Sequence, residues 1–456
     1  MGRLFGTDGA RGIANTELTC ELAMKIGMAA ASVLTKNKNE RAKILIGKDT
    51  RLSSDMLEGA LIAGICSVGV DVVCLGVVPT PAVAYLVRKY KADAGIMISA
   101  SHNSFEFNGI KIFSSQGHKL PDAVEEEIEK IVLGEVELNL NNIKYSDIGT
   151  KTYLKSAVDD YIEHIITTID GNLAGLKVAF DCSNGSASRT AGKLFSALGV
   201  ECVMLNNTPD GININDNCGS VHIDNLAEYV KMHDFDAGIA FDGDADRCLA
   251  VDNKGNIIDG DFIMAICARA LKQQGKLKRD TVVGTVMTNM GFNRFCSYNE
   301  LNFVATKVGD RYVLEEMLKE NYNFGGEQSG HIIFLDYSTT GDGQLTAVQL
   351  LSILKNENKP FSEVAGIIKK FPQVMINVKI SNEGKMNFYN DLEIKSAIEN
   401  VKNEFTSTDG SANTGRILVR TSGTEPLVRV MLEGEDLDKI TKLANKVAEL
   451  IKERLN

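Results

Sequence analysis

The chain has 456 residues, enough for three or four domains with their own cores, and its 44% hydrophobic and 24% charged fractions exclude a fibrous or disordered protein. A formal charge of −11 argues against general binding to nucleic acid or anionic membranes, so an anionic ligand must be held by local positive groups. No signal-peptide-like segment opens the sequence and no uninterrupted apolar stretch of about 18 residues occurs, so a soluble cytoplasmic protein is expected.

In chain order, strand-like apolar runs fall at 44–46, 70–74 and 94–98, with a helical pattern over 56–68. The same order returns at 178–180, 202–205 and 237–241, with a helical pattern over 188–198, and again at 282–283, 303–305 and 324–326. Alternating strand and helix predicts three similar α/β domains with mainly parallel, mixed sheets. From about 371 the pattern changes to strand 374–380, helix 385–405, strands 417–420 and 427–432, and helix 437–454, a smaller α+β domain. The predicted boundaries are 1–150, 151–252, 253–370 and 371–456. Nine cysteines form no Cys-x-x-Cys pair, and Cys66, Cys74, Cys202 and Cys267 sit in apolar runs as reduced core residues. The six histidines are dispersed, which leaves no zinc-finger or two-histidine helix motif.

The loops behind the third runs carry the polar chemistry. After 94–98 comes Ser99-Ala100-Ser101-His102-Asn103-Ser104, then Asn108-Gly109-Ile110-Lys111. Ser101 is either a nucleophile or a turn former, and His102 beside it is poorly placed to be its base. After 237–241 come Asp242, Asp244 and Asp246 with Arg247 adjacent. Three hard oxygen donors at i, i+2 and i+4 suit Mg2+, Mn2+ or Ca2+ rather than zinc, and self-repulsion calls for a cation. An EF-hand needs Gly and Glu where Arg247 and Asn253 stand. A phosphatase with Asp242 as nucleophile and a solvated acidic turn remain as alternatives. After 324–326, Glu327, Gln328, Ser329 and His331 lie between glycines, a group that suits sugar hydroxyls or forms a plain glycine-rich turn. In the tail, Arg420-Thr421-Ser422-Gly423-Thr424-Glu425-Pro426, with Arg429 beyond, joins arginines, hydroxyls and flexible amides as in a phosphate cradle. Near the amino terminus Phe5-Gly6-Thr7-Asp8-Gly9-Ala10-Arg11-Gly12 is one more glycine-spaced loop.

Taken in order, the segments 99–103, 242–247, 327–331 and 420–426 resemble four separate motifs of the α-D-phosphohexomutase superfamily, and the resemblance runs along essentially the whole chain. It implies four domains arranged around one central cleft, and a reaction through a phosphoserine enzyme and a bisphosphorylated sugar. It further implies that Ser101 carries the phosphate and, with Asp242, Asp244 and Asp246, holds one Mg2+. Lys111 is implied as general acid and base, which calls for a lowered pKa. Arg247, His102 and Arg11 are implied in the catalytic group. Glu327, Ser329 and His331, with Gly309 and Asp310 of the 308–313 segment, are implied in sugar binding. Arg420, Thr421, Ser422, Gly423, Thr424 and Arg429 are implied at the non-reacting phosphate.

Segments 5–9 and 308–313, with Gln328, are similar to the branch acting on glucosamine phosphates rather than glucose or mannose phosphates. The implied activity is interconversion of glucosamine 6-phosphate and glucosamine 1-phosphate, supplying UDP-N-acetylglucosamine and cell-wall synthesis. Glucosamine 1,6-bisphosphate or a similar hexose bisphosphate is the implied primer and intermediate. Further implications are phosphorylation of Ser101 by a kinase or by the enzyme itself, a homodimer, and no nucleic-acid or membrane partner. The alternatives are a phosphomannomutase/phosphoglucomutase, a sugar phosphatase and a non-catalytic phosphosugar sensor. Two departures stand out: Ser104 replaces the usual Pro, which loosens the serine loop, and Lys48 stands where many relatives have Arg.

Overall fold

The computed structural model describes residues 4–6, 8–36, 40–138, 143–406, 413–422 and 426–456. It divides into two compact units, Met1–Met287 with Asn299–Ile367, and Thr288–Tyr298 with Ile368–Asn456.

The first unit repeats one strand arrangement three times. In its seven-stranded sheet Lys43–Lys48 lies between Asp71–Val77 and Ala94–Ile98, parallel to both. In the five-stranded sheet Lys177–Asp181 lies likewise between Glu201–Leu205 and Ala237–Phe241. In the four-stranded sheet Thr281–Thr285 lies between Asn302–Thr306 and Phe324–Gly326. The repeat of three apolar runs is therefore a repeat in space, with the first run central.

Each third strand then turns back into an antiparallel partner: Phe107–Ser114, Cys248–Asp252 and Ile332–Phe334. The polar loops thus join antiparallel strands and are not strand-to-helix turns. The return strand Phe107–Ser114 buries Asn108 and Lys111 among its apolar residues. These two buried polar groups, on opposite faces of the strand, hide it from a reading based on hydrophobic runs.

Packing follows from sequence in the first domain. Helix Cys20–Thr35 starts where Thr19 Oγ1 accepts Leu22 N–H at 3.2 Å. Its buried Ala23, Ala29, Ala30 and Ala31 present a small-residue face, and it packs with helix Ser54–Ser67 over Ile44, Ile46, Val72, Ile96 and Ile98. Each such isoleucine or valine removed from water contributes roughly 1.5–3 kcal/mol. Cys74 and Cys267 are buried free thiols, whereas Cys66 and Cys202 are only half-buried, because their side chains lie nearer the domain surface than their apolar neighbours suggested.

In the second unit Leu427–Gly434 is the central strand of an antiparallel sheet, flanked by Gln373–Lys379 and Gly415–Thr421. Helix Leu437–Leu455 lays Ile440, Leu443, Ala444, Val447 and Ile451 against it, the three- and four-residue spacing of an amphipathic helix. The single helix predicted at 385–405 is two helices, Asn382–Asn387 and Leu392–Phe405, separated by a turn at Phe388–Asn390. The second begins at Asp391, whose Oδ1 accepts the N–H groups of Glu393 and Ile394, both at 3.0 Å. Helix Met290–Tyr298, which connects two strands of the third copy, groups with this unit. Met290 N–H donates to Glu433 Oε2 at 3.1 Å, and the same buried carboxylate receives Arg416 Nε at 2.8 Å.

Helix Gly343–Glu357 is capped by Asp342, whose Oδ1 accepts Leu345 N–H at 3.0 Å and Tyr161 Oη–H at 2.8 Å. Burial lifts this carboxyl to about 6 despite those bonds. Its folded-state value exceeds the unfolded one, so the folded chain binds the proton more tightly, and stability is lost as pH rises from about 4 to about 6. Asparagine keeps the cap and cannot ionise. Asp342→Asn is expected to gain on the wild type across that window by up to about 3 kcal/mol. Thermal melts of both proteins from pH 4 to pH 8 check this; a melting-temperature difference independent of pH would refute it.

Candidate active site

Three hairpin loops of the first unit bring the predicted groups together. Ser101 is buried with a left-handed φ of +52°, rare for a residue with a side chain. Its Oγ donates to Asp242 Oδ2 at 2.6 Å and lies 3.4 Å from His102 Nδ1.

Arg51, which the sequence reading passed over, holds this loop. Its guanidinium donates to the carbonyls of Ser101 at 2.9 Å, Asn103 at 2.8 Å and Phe107 at 3.0 Å, and also to that of Ser104. Asp49 anchors Arg51 Nε at 2.9 Å and accepts Ser99 Oγ–H at 2.6 Å. Asn215 Nδ2 adds bonds to the Ser101 and Asn103 carbonyls, both at 2.9 Å. With Ser104 in place of proline, the loop is held through its carbonyl oxygens. Lys48 turns away to Asp55 at 2.5 Å and Glu58 at 2.6 Å, so its exchange with arginine does not touch this clamp.

The aspartate loop meets the serine loop closely: a Cβ on Gly243 would lie 2.6 Å from the Ser101 carbonyl oxygen, so only glycine fits there. Asp242, Asp244 and Asp246 are buried, each offering one oxygen within 4.8 Å of the others. Among the described residues, Oδ1 of Asp244 and Oδ1 of Asp246 are buried with no hydrogen-bond partner. Two orphaned hard oxygens in a three-carboxylate cluster fit a divalent oxygen-seeking cation such as Mg2+. Burial, then the neighbouring Asp246 and Asp244, push Asp242 well above its ordinary value, the strain such a cation relieves. Thr80, unflagged in the sequence, orients Asp244 through Oγ1–H to Oδ2 at 2.5 Å.

Lys111 is almost wholly buried, with Nζ 2.8 Å from Asp244, 3.0 Å from Asp8 and 3.5 Å from Asp246. Burial pulls its ammonium down, but Asp244, Asp8 and Asp246 together raise it above the usual lysine value. The expected lowering is reversed here because three carboxylates outweigh desolvation. Arg247 donates its backbone N–H to Asp242 Oδ1 at 3.2 Å, and its buried Nε, 3.9 Å from Asp246, has no hydrogen-bond partner among the described residues. His102 is pulled down to about 4 by burial and then by Arg247 and Arg11, so it is a neutral imidazole near pH 7. Arg11 reaches Asp8.

In the third hairpin, Glu327 Oε1 accepts Gly309 N–H at 3.0 Å, and burial lifts its carboxyl above the ordinary glutamate value. Ser329 is exposed. His331 presents Nδ1 to Asp246 at 3.6 Å, while its Nε2 accepts Gly341 N–H at 3.1 Å and lies 3.4 Å from Asp310. The serine loop, the aspartate loop and the Glu327–His331 hairpin thus meet through Ser101–Asp242 and Asp246–His331.

In the second unit Arg420 and Arg429 face each other across adjacent strands. Burial, then Arg429, lowers the pKa of the Arg420 guanidinium, and Arg429 Nε is buried without a hydrogen-bond partner among the described residues. Two like charges directly opposite are unfavourable unless an anion neutralises them. Thr421 Oγ1 is 3.3 Å from Tyr389 Oη, and Ser422 is buried beside them in sequence. Gly423 and Thr424 lie outside the described residues.

Comparison with known proteins gives a consistent pattern. Models of phosphoglucomutase/phosphomannomutase domains match throughout: alpha/beta/alpha domain I over residues 2–138, domain II over 159–255, domain III over 259–371 and the C-terminal domain over 375–450. The chain is 56% identical to the phosphoglucosamine mutase of Clostridium acetobutylicum and 54% identical to that of Clostridium novyi, each over 456 residues and 100% of both chains. A phosphoglucomutase/phosphomannomutase family protein from Burkholderia thailandensis superimposes with a TM-score of 0.82 at 25% identity, covering 99% of this chain and 98% of its own. The Aspergillus fumigatus N-acetylphosphoglucosamine mutase, solved in complex with GlcNAc-6P and magnesium, shares the fold with a TM-score of 0.70 at 16% identity, covering 99% and 96%.

Proposed function

Because the chain belongs to the phosphoglucomutase/phosphomannomutase family, we propose that it interconverts glucosamine 6-phosphate and glucosamine 1-phosphate through a phosphorylated Ser101. The observation that carries this reading is Ser101 Oγ bound at 2.6 Å to one carboxylate of a buried aspartate triad. The full-length relatives at 54–56% identity favour glucosamine over glucose or mannose.

In the first half-reaction a sugar hydroxyl forms a new O–P bond while the bond from phosphorus to Ser101 Oγ breaks. The sugar then carries two phosphates. After it reorients, the other phosphoryl group returns to Ser101. In each half one oxygen loses a proton and the leaving oxygen gains one, with Lys111 as the proposed carrier. Asp242, Asp244 and Asp246, with the phosphoserine, are the proposed ligands of one Mg2+. When bound, that cation supplies positive charge against the phosphoryl oxygens. Of the three carboxylates around Lys111, Asp244 and Asp246 are then engaged elsewhere, leaving Asp8 as its counter-ion.

Arg247 is proposed to clamp the transferring phosphoryl group with its unpartnered Nε, and Arg11 and His102 to line the same space. Glu327, Ser329, His331, Gly309 and Asp310 are the proposed sugar contacts. Arg420, Thr421, Ser422 and Arg429, with Gly423 and Thr424, are proposed to hold the phosphate that does not react. A hexose bisphosphate serves as primer for an enzyme that has lost its phosphate.

A Mg2+-dependent assay with glucosamine, glucose and mannose 6-phosphates, primed with the matching bisphosphate, tests the reading. Glucosamine 6-phosphate is expected to lead in kcat/KM by at least about tenfold, since a site built around one polar substituent rejects the others. Preference for mannose 6-phosphate would overturn the choice of sugar.

A further inference from the structure

Lys119 stands at the centre of an arrangement that the phosphoryl-transfer groups alone do not explain. It follows the return strand Phe107–Ser114 and bridges back to it, Lys119 pairing with Phe113. Its Nζ is 2.5 Å from Asp8 Oδ1 and 2.5 Å from Asp310 Oδ2, and the side chain is only 13% exposed. Asp8 turns its other oxygen, Oδ2, to Lys111 at 3.0 Å and to Arg11. From Asp310 the contacts run to His331 Nε2 at 3.4 Å, from His331 Nδ1 to Asp246 at 3.6 Å, and from Asp246 back to Lys111 at 3.5 Å. The six side chains close a ring in which bases and carboxylates alternate: Lys111, Asp8, Lys119, Asp310, His331, Asp246.

We propose that Lys119 is a positioning residue, the keystone of this ring, which fixes Lys111 through Asp8 and ties it to Asp310 at the start of the third-domain helix Asp310–Glu320. Three observations carry it. First, among the described residues Lys119 is the one cation within ion-pair distance of both Asp8 and Asp310. Second, it divides the work of the Asp8 carboxylate: with Oδ1 occupied by Lys119, Oδ2 is left pointing at Lys111. Third, among the described residues the other base beside Asp310 is His331, which offers only Nε2 at 3.4 Å, a nitrogen that also accepts Gly341 N–H, so Lys119 at 2.5 Å is the shorter contact.

Without the Lys119 ammonium, Asp8 and Asp310 are two neighbouring carboxylates with nothing between them. They separate, Asp8 carries Lys111 with it, and the proposed proton carrier leaves its line. Lys119 itself touches neither Ser101 nor the triad in the described contacts, so its effect acts through Asp8 and Asp310.

The inference rests on the mutase reading, and the test separates the two. Lys119→Met, Lys119→Gln and Lys119→Arg are compared with the wild type for kcat, KM, thermal melting and the fraction of Ser101 phosphorylated. Lys119→Met is expected to lose about 30-fold in kcat with KM within about threefold, the scale of effect that a sub-ångström to 1 Å misplacement of a reacting group produces. Ser101 phosphorylation should be unchanged. Lys119→Gln, close in length and able to bond one carboxylate, is expected to fall between Lys119→Met and the wild type, and it carries the test if Lys119→Met does not fold. Lys119→Arg, with a fork that reaches two carboxylates, is expected to stay within about threefold of the wild type.

A residue that merely props the fold gives a different result: lower melting temperatures but the wild-type kcat per phosphorylated molecule. That outcome, in Lys119→Met or in Lys119→Gln, overturns the inference while wild-type turnover leaves the reading intact. A wild type that turns over no glucosamine 6-phosphate overturns both.

Discussion

Ser101→Ala is expected to reduce turnover by at least about a thousandfold, because it removes the atom that carries the phosphoryl group in both half-reactions. The fold should survive. The serine loop is held through carbonyl oxygens bound by Arg51 and Asn215, and these do not depend on the Ser101 side chain. Alanine does inherit the left-handed backbone at this position, at a cost on the order of 1 kcal/mol. Intact mass after incubation with hexose bisphosphate separates the alternatives. The wild type should gain one phosphoryl group, mapped to Ser101, and the variant none. Phosphate trapped on Asp242 in either protein would support the phosphatase instead, and an active Ser101→Ala would remove the phosphoserine from the mechanism. Asp242 loses the hydrogen bond from Ser101 Oγ in this variant, while Asp244 keeps that from Thr80 Oγ1.

The sequence made some of this arrangement readable and hid the rest for definable reasons. Apolar runs such as 94–98 and 237–241 are fully buried strands, parallel to one neighbour and antiparallel to the other, because a strand covered on both faces must be apolar along its length. The polar segments behind them stood out against those runs, which is how Ser101, Asp242, Asp244 and Asp246 were found. The return strand carrying Lys111 is not visible as a strand in the sequence, since Asn108, bonded to Ser53 and Ser54, and Lys111, which reaches the aspartates, interrupt its apolar pattern. Arg51 was invisible for a different reason. It lies about fifty residues before the loop it clamps, and its bonds are to carbonyl oxygens, which leave no trace in side-chain identity. Asp8 and Lys119 were likewise ordinary loop residues until the fold set each beside the other. Local chemistry can be read from local residues; a ring assembled from three domains cannot.

Lys111→Met carries the second large effect and probes the charge balance of the whole site. The side chain is nearly isosteric, so the change removes an ammonium rather than volume. Turnover should fall by about a hundredfold to ten-thousandfold, the usual contribution of a positioned proton carrier. Binding of the phosphosugar and the final extent of Ser101 phosphorylation after long incubation with the bisphosphate should be largely retained, because the groups proposed for those tasks lie on other loops, while the rate of that phosphorylation falls with turnover. The same variant leaves Asp244, Asp246 and Asp8 without the cation they share, and an uncompensated buried charge cluster is costly, by roughly 3–5 kcal/mol when one partner of a buried pair is removed. A divalent cation seated on the triad can offset part of that loss by mass action. The melting temperature of Lys111→Met is therefore expected to drop more than that of the wild type in EDTA, and to rise more steeply as Mg2+ is added. Thermal melts across a Mg2+ titration measure both. If Mg2+ raises the two proteins equally, Asp244 and Asp246 are not shared between Lys111 and the metal; if turnover is unchanged, Lys111 does not carry the proton.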